Sequence, residues 1–566
     1  MPRRLAAALV LAVLAILVAV DAWRVRADLD TPRDLHGARF ATSHECARCH
    51  PSEHASWSRT FHRTMTQEAT EAAVVGDFAD AELLYGGLTA RFSRDADGAF
   101  RLDVLQGDAR LAHAEIVRTV GSRRIQQYLA RDGDVVYRLP VAWDLEAGRW
   151  MHMNAAFLTP DPPELDADET VSLDDFNRHV TRWNDNCVFC HNVDPQPGWD
   201  PRSERYDTAV AELGVACEAC HGPADGHATA NADPLRRYAL HGSDDGDPSI
   251  VNPARLEPAA SSAICGRCHG QRITADIDRF LQDGDPFVPG DDLAAYSRPL
   301  ARDTALDGDA TFFAARFWPD GTARLTAYEY QGLRQSPCTD LGCLECHGMH
   351  EGDPRGQVRD SHRADGACTG CHAVDDHAHH LSVTCVDCHM PRIVYGVVEV
   401  HRSHRIERPD PFRTDRPDAC TLCHAERSRR WAQLAFRRLY GGGGSLAEDG
   451  DPEVHRLTFG GDPVERAVAA AALGRRDTLT PTRRRRRLGI LLDTMTDDPY
   501  PAVRRIAERS LGALEGRADG FDPTAPRRRR AAWAAAYRAE HDAEPPPARL
   551  LALRARAGDA VILIGE

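Results

Sequence analysis

The residues with the clearest chemical capacity are cysteines and histidines that recur in one spacing. The chain has 566 residues and 17 cysteines. Sixteen of the cysteines form eight C-x-x-C pairs, and a histidine directly follows every pair. Because only 26 residues are histidine, this coincidence at all eight pairs is not random. The eight motifs are Cys46, Cys49 and His50; Cys187, Cys190 and His191; Cys217, Cys220 and His221; Cys265, Cys268 and His269; Cys343, Cys346 and His347; Cys368, Cys371 and His372; Cys385, Cys388 and His389; and Cys420, Cys423 and His424.

Two thiols and a histidine in this order are the attachment motif of c-type haem. The thiols form thioether bonds to the porphyrin, and the histidine supplies the proximal iron ligand. Zinc binding is the alternative, but zinc sites need two further ligands and do not require a histidine at the fifth position. A disulfide framework does not explain the histidines. The sequence therefore predicts eight covalently bound haem c groups, each with its iron.

The second axial ligand of each iron decides what the haem does. A second histidine suits electron transfer, whereas an open position admits a substrate. Eighteen histidines lie outside the motifs, which is enough to complete every iron without excluding an open one. Histidines that flank motifs are the better candidates, since close haem packing brings them next to neighbouring irons. The candidate distal ligands are His62, His179, His227, His350, His377, His380 and His404.

The seventeenth cysteine, Cys338, lies five residues before Cys343 and outside every motif. We interpret it as a buried free thiol. A haem-related or redox role is the alternative.

The N-terminus predicts export. Two arginines precede an apolar run from Leu5 to Val20, which is typical of an export signal. The run is slightly long for a cleaved signal core and slightly short for a membrane span of about 20 residues. Because no A-x-A site follows it directly, an uncleaved signal anchor over residues 1–24 is favoured over a cleaved signal peptide. Both interpretations place the rest of the chain in the periplasm, with residues 5–20 as the candidate anchor in the cytoplasmic membrane.

The spacing of the motifs divides the chain. We predict a first haem segment at 40–72, a β-rich insert at 73–160, a heptahaem core at 175–430 and a helical domain at 431–566. The insert shows short alternating apolar runs and D-G turns. In the last segment, PVERAVAAAALG and PAVRRIAERSLG align at an offset of 38 residues, which favours stacked helical hairpins of the HEAT type. The predicted fold class is mainly α, with short helices around stacked haems, a small β-rich insert and a C-terminal HEAT-like repeat.

Composition excludes several classes of function. The formal net charge is −16, which argues against a nucleic-acid partner bound through its phosphates. The chain contains no lysine, so no mechanism can use a lysine nucleophile, base or ligand. The arginine runs at 483–487 and 527–530 are interpreted as solvated helix faces, with anion binding as the alternative.

The stretches CARCHPSEHASWSRTFHRTMT, GVACEACHGPADGH, CLECHGMH and CVDCHMPRIVYGVVEVHRSHRIERPDPFRTDRPDACTLCH together resemble multihaem cytochromes of the cytochrome c554-like group. The narrower resemblance is to members with a helical-repeat tail, over roughly residues 40–440. It implies an exported electron-transfer protein with bis-histidine haems. By motif position, it implies His62, His227, His350, His380 and His404 as distal ligands.

The sequence thus predicts an octahaem c-type cytochrome that relays electrons through closely packed haems. The alternative is a reductase of a small nitrogen or sulfur oxyanion, such as nitrite, hydroxylamine or tetrathionate, at one five-coordinate haem. No catalytic residue is assigned, and an electron carrier is favoured over a catalyst. The expected partners are redox proteins, with docking on the C-terminal helices.

Overall fold

The computed structural model describes residues 2–556, except 32, 168, 242–245, 339, 352–355, 374–379, 381, 382, 477, 478 and 517. It contains 40% helix and 17% strand, with a nearly closed antiparallel sheet. The prediction of a mainly α fold with a small β-rich insert is therefore wrong. The chain combines a large antiparallel sheet, a central region of short helices that carry seven of the motifs, and a C-terminal layer of longer helices.

The largest sheet has nine antiparallel strands in the path β2-β3-β4-β5-β6-β7-β8, with β1 on β5 and β9 on β7. The ends of the path, β2 and β8, approach each other and nearly close a barrel. Its strands are β1 Thr66–Glu68, β2 Ala81–Tyr85, β3 Leu88–Arg94, β4 Phe100–Gln106, β5 Ala109–Val120, β6 Ile125–Asp132, β7 Val135–Asp144, β8 Arg149–His152 and β9 Thr181–Arg182.

This sheet is larger than the sequence pattern indicated because its central strands are buried on both faces. In β6, six consecutive residues from Ile125 are buried, so no alternation of apolar and polar residues marks the strand. The sheet also encloses an aromatic cluster of its own, in which Phe92 stacks on Trp150 with ring centroids 3.5 Å apart. Strands β1 and β9 lie outside the segment predicted for the insert. The domain boundaries themselves stay predictions.

Short two-stranded ribbons accompany the motifs in the central region. They are β10 Asn192–Val193 with β13 Glu212–Leu213, β11 Trp199–Asp200 with β12 Arg205–Tyr206, β14 Arg272–Thr274 with β15 Ser297–Pro299, and β16 Arg392–Gly396 with β17 Glu399–Arg402.

The helices fall into three groups: one long N-terminal helix, many one- to two-turn helices in the central region, and longer C-terminal helices. They are α1 Pro2–Leu29, α2 Ser43–Ala47, α3 Pro51–Trp57, α4 Pro163–Ala167, α5 Leu173–Phe176, α6 Val188–His191, α7 Glu218–His221, α8 Asp225–Ala230, α9 Pro234–His241, α10 Pro258–Gly266, α11 Ile277–Asp283, α12 Glu329–Arg334, α13 Cys343–Cys346, α14 Gly366–Thr369, α15 Cys385–His389, α16 Ala419–Cys423, α17 Arg429–Tyr440, α18 Glu453–Gly460, α19 Pro463–Leu473, α20 Pro481–Asp497, α21 Pro501–Glu515, α22 Arg527–His541 and α23 Ala548–Arg556. Short 3₁₀ segments lie at Met153–Ala155, Pro253–Arg255, Leu293–Ala295, Ala314–Arg316 and Asp360–His362, and a π-helical turn lies at Trp183–Cys187.

The C-terminal helices begin where the sequence supplies helix-starting residues. Proline occupies the first turn of α19, α20 and α21, where its missing N–H costs no hydrogen bond. Asp462 and Glu465 form a reciprocal capping box at the start of α19. The helices pack as α18 on α19, α19 on α21, α20 on α21 and α20 on α22. The HEAT-like assignment stays a prediction.

Buried ion pairs join these helices to the sheet. Arg505 on α21 pairs with Asp144 at the end of β7 and, at 2.6 Å, with Glu508. Arg504 lies 2.7 Å from Asp161. The arginine runs were expected to be solvated, but Arg487 is fully buried and pairs with Glu426 at 2.6 Å. In the second run, Arg530 is also buried and lies 3.3 Å from Asp161. Part of each run therefore packs between elements rather than forming a solvated face.

Candidate haem sites

Each motif lies on or beside a single turn of helix. The backbone N–H of the motif histidine donates to the carbonyl of the first cysteine in six motifs, for example from His50 to Cys46 at 2.9 Å and from His269 to Cys265 at 2.8 Å. Residues three and four apart in such a turn face the same side. The two thiols and the imidazole therefore point to one side of the turn, as attachment to a single porphyrin requires. No disulfide joins any two of the 17 cysteines, all of which lie within the described residues.

Four motif histidines face a second histidine from a distant part of the chain. His50 faces His227 with ring centroids 6.4 Å apart, and the two planes are inclined by 21°. His221 faces His350 at 6.0 Å and 20°. The other two pairs are His269 with His62 at 6.3 Å and His424 with His380 at 6.0 Å.

This separation tests whether the residues fit a haem iron. A bond from a metal to an imidazole nitrogen is about 2 Å, and the ring adds about 1 Å on each side, so two imidazoles on opposite sides of one metal ion have centroids about 6 Å apart. Direct ring stacking would bring them closer, as in the 3.7 Å stack of Tyr85 on His152. In the described part of the chain, no three histidine, cysteine or acidic side chains converge as a metal cluster. The opposed pairs fit bis-histidine haem.

The δ nitrogens of three motif histidines are held by main-chain carbonyls. His221 Nδ1 lies 2.8 Å from the Val251 carbonyl oxygen, His347 Nδ1 lies 3.1 Å from that of Gly356, and His389 Nδ1 lies 2.8 Å from that of Glu407. A carbonyl only accepts, so each Nδ1 donates its proton. Its Nε2 is then the nitrogen with a lone pair for a metal, and the ring orientation is fixed.

In two of the facing pairs, Nδ1 of one histidine lies next to a carboxylate rather than a main-chain carbonyl. Asp247 Oδ2 lies 3.1 Å from Nδ1 of His227, and Glu329 Oε2 lies 3.7 Å from Nδ1 of His269, which is an ion-pair distance. The interaction with Glu329 raises the pKa of His269. No sequence pattern identifies either acid, because Asp247 is 20 residues from His227 and Glu329 is 60 residues from His269.

The Asp247 carboxylate is the centre of a dense polar cluster. It accepts hydrogen bonds from Arg236 at 2.7 Å and 2.8 Å, from Asn231 at 2.8 Å and from Ser249 at 2.5 Å. Against the effect of burial, the bonds from Arg236 and His227 hold the pKa of Asp247 far below its usual range. The Asp247 carboxylate is therefore ionised at any physiological pH. It can accept a hydrogen bond from the Nδ1–H group of His227.

Desolvation keeps most of these imidazoles neutral, which is the form that binds metal. It lowers the pKa of His62 to about 4 and also lowers the pKa of His221, His347 and His404.

The structure places the other candidates differently. His404 is close enough to His347 to interact with it electrostatically. His179 lies in the sheet region, with Nε2 2.6 Å from Oδ1 of Asn154 and its ring against Phe157. His377 lies outside the described residues. Cys338 is partly buried and interacts electrostatically with Cys368.

Thiols of different motifs interact with one another. Four cysteine pairs are within hydrogen-bonding reach: Cys46 with Cys217, Cys190 with Cys268, Cys265 with Cys343, and Cys368 with Cys385. Electrostatic interactions add Cys220 with Cys268, Cys346 with Cys368, and Cys388 with Cys423. Together these hydrogen-bonding and electrostatic interactions link all eight motifs.

Comparison with known proteins adds a distant structural similarity. No protein-family model matches the chain, and no curated protein matches it. A solved structure described as the outer cell wall cytochrome OcwA aligns with 88% of this chain and 99% of its own, at 16% identity and a TM-score of 0.46. That neighbour is a cytochrome. At this level of similarity, the assignment of the sites rests on the contacts within this chain.

Proposed function

We propose that the chain is an exported octahaem c-type cytochrome that relays electrons through closely packed, mostly bis-histidine haems. The observation that carries this proposal is the set of four motif histidines, each facing a distant histidine at 6.0–6.4 Å. A haem c at each motif would supply a one-electron iron couple. The chain supplies attachment, both axial ligands and the spacing between sites.

The thiol contacts support a particular order of the relay. The first motif neighbours the third through Cys46 and Cys217, and the third neighbours the fourth through Cys220 and Cys268. From the fourth, the contacts run through the fifth, sixth and seventh motifs to the eighth. The second motif branches from the fourth through Cys190. We therefore propose a path 1-3-4-5-6-7-8 with one side branch.

The carboxylates near His227 and His269 differentiate the sites along this path. A histidine ligand that donates to a carboxylate is more basic than one that donates to a carbonyl, and it stabilises the oxidised iron. The first and fourth motifs are thus proposed to have lower potentials than the third, fifth and seventh, whose proximal histidines donate to carbonyls. Redox proteins are the proposed partners at either end.

The first test is the haem content of the protein produced in a host with cytochrome c maturation. We expect eight haems per chain by intact mass and by the pyridine haemochrome assay. The matched variants are Cys343→Ser, which should lose one thioether bond, and Cys338→Ser, which should keep every one. Zinc instead of iron, or clearly fewer haems, would refute the proposal.

The second test addresses the facing histidines. His350→Ala should convert one haem from low spin to high spin, since it removes the ring that faces His221. His241→Ala, at the exposed end of α9, is the control and should leave the spectrum unchanged. An unchanged spectrum for His350→Ala would show that His350 and His221 do not bind the same haem iron. A high-spin component in the unmodified protein that shifts with nitrite or hydroxylamine would favour the reductase.

A further inference from the structure

The N-terminal helix ends against the haem-bearing part of the chain. Asp21, Arg24, Val25 and Asp28 follow helical spacing and share one face of α1. On that face Val25 is only 5% exposed, and Arg24 lies 3.2 Å from Asp233, directly before α9. The last two turns of α1 are therefore docked on the folded chain rather than projecting from it.

The apolar part of α1 has the opposite environment. Every side chain from Leu5 to Val20 is exposed, and the helix is long and apolar enough to cross a membrane, with a mean hydropathy of 2.7. Its sixteen apolar residues extend about 24 Å at 1.5 Å per residue. Lipid hydrocarbon is the occupant that fits such a surface, because it requires neither hydrogen bonds nor charges. Trp23 is 73% exposed just beyond this run, as interfacial anchors are.

A chain of polar contacts leads from the docked turns to the first haem site. Asp28 on α1 pairs at 2.8 Å with Arg236 on α9, whose side chain is 3% exposed. The same guanidinium pairs at 2.7 Å with Asp247, which lies 3.1 Å from the ring of His227. That ring faces His50 of the first motif. The anchor and the axial ligand thus share one buried arginine.

We propose that α1 is retained in the mature protein as a membrane anchor, and that its docking fixes the first motif as the haem site nearest the membrane. Asp28 lies eight residues after Val20, which places it about 12 Å beyond the apolar run. The inference rests on the proposed relay, in which the first motif is a terminus.

The first experiment asks whether α1 is retained. The full chain with a C-terminal tag is separated into membrane and soluble fractions, and the purified protein is analysed by intact mass. We expect all of it in the membrane fraction, resistant to carbonate and high salt, with residues 1–29 present. A soluble protein, or a mature N-terminus after Val20, would overturn the inference. If that same sample contained eight haems, the failure would concern only the anchor and not the proposed octahaem cytochrome.

The second experiment tests the link from anchor to ligand by redox titration. The potential of the first haem is identified as the one that moves in His227→Met. We expect Asp28→Asn to raise that potential for two reasons. It removes a negative charge, and it leaves Asp247 as the only carboxylate of the two that still pairs with Arg236. Asp30→Asn is the matched control, since Asp30 directly follows α1 and pairs at 3.1 Å with Arg26 of α1. Equal shifts in the two variants would refute the link.

The third experiment measures distance to the membrane. The protein is placed in nanodiscs that contain lipid with a gadolinium-chelate headgroup, and the relaxation of each low-spin haem signal is recorded. The signal lost in His227→Met should be the most strongly relaxed. Stronger relaxation of the signals from the seventh or eighth motif would place another haem site at the membrane and overturn the assignment.

Discussion

The substitution Asp247→Asn isolates one charge next to one haem site. Asparagine keeps the size of the side chain, and its one remaining oxygen can accept the hydrogen bond from Ser249, but it removes the negative charge that faces His227. The oxidised iron carries one more positive charge than the reduced iron, so a nearby carboxylate favours oxidation. We therefore expect the substitution to raise the reduction potential of the first haem.

The structure sets the size of this effect. The midpoint between the rings of His50 and His227 lies at half of their 6.4 Å separation, and Asp247 Oδ2 is 3.1 Å from the nearer ring nitrogen. The carboxylate is thus about 7 Å from that midpoint. At an effective dielectric constant of about 20, one charge at this distance contributes about 2 kcal/mol, or about 100 mV for a one-electron couple. Arg236 keeps its own charge in the variant and does not cancel the change.

Spectroelectrochemical titration of the purified protein measures the shift, and His227→Met identifies the haem concerned. Asp225→Asn is the control, because it removes one negative charge from α8, the helix that carries His227, at a position two residues from His227 that lies on another face of the helix. Its shift should be a small fraction of that of Asp247→Asn. A protein with eight haems in which Asp247→Asn leaves every potential unchanged, or shifts no more than the control, would refute the reasoning.

The remaining predictions concern stability and ligand placement. Asp144→Ala leaves Arg505 buried without its sheet partner and should lower the free energy of unfolding by about 3 kcal/mol, as measured by urea denaturation. The control Glu146→Ala should change the free energy of unfolding by less than about 1 kcal/mol. The Glu146 side chain is 65% exposed, although it pairs with Arg509, which lies on α21 like Arg505. Desolvation lowers the pKa of His152 to about 4, so the unfolded chain binds the proton first and stability should fall by about 2 kcal/mol from pH 7 to pH 5. His152→Gln should flatten this dependence, and an equally steep curve would assign it to other groups. Gly214 has φ +80°, and a Cβ there would lie 2.6 Å from the Arg63 carbonyl oxygen. Gly214→Ala should therefore displace His62 and give one high-spin haem, whereas Gly107→Ala, also at positive φ but with open space around it, should keep every haem low-spin.

What the sequence revealed was local chemistry. The order of two cysteines and a histidine is enough to predict a haem motif, because all three residues act within one helical turn. The histidines that face the motif histidines, by contrast, come from distant parts of the chain. His227 lies 177 residues after His50, and His269 lies 207 residues after His62. Nothing in the local pattern distinguishes His227, which faces a motif histidine, from His179, which bonds to Asn154 in the sheet region.

The sheet was underestimated for a physical reason. Sequence patterns detect strands that bury one face, but β6 and much of β7 are buried on both, so their alternation disappears. Aromatic residues make up only 7% of the chain, but they are concentrated: Phe78, Phe92, Tyr128 and Trp150 pack together inside the sheet.

The position of this sheet in the chain explains why it bears on the haem sites at all. The chain enters it at β1, four residues after His62, and leaves it at β9, five residues before Cys187. Thr66 of β1 donates a hydrogen bond to the carbonyl of His191 at 3.1 Å, so the entry and the exit are tied together beside the second motif. The N–H of Val215 donates to the carbonyl of His62 at 3.0 Å and brings the third motif to the same place.

The sheet thus closes a loop of more than a hundred residues on itself. This closure lets His62 reach His269 of the fourth motif, and it is consistent with the proposed relay, in which the first motif neighbours the third rather than the second.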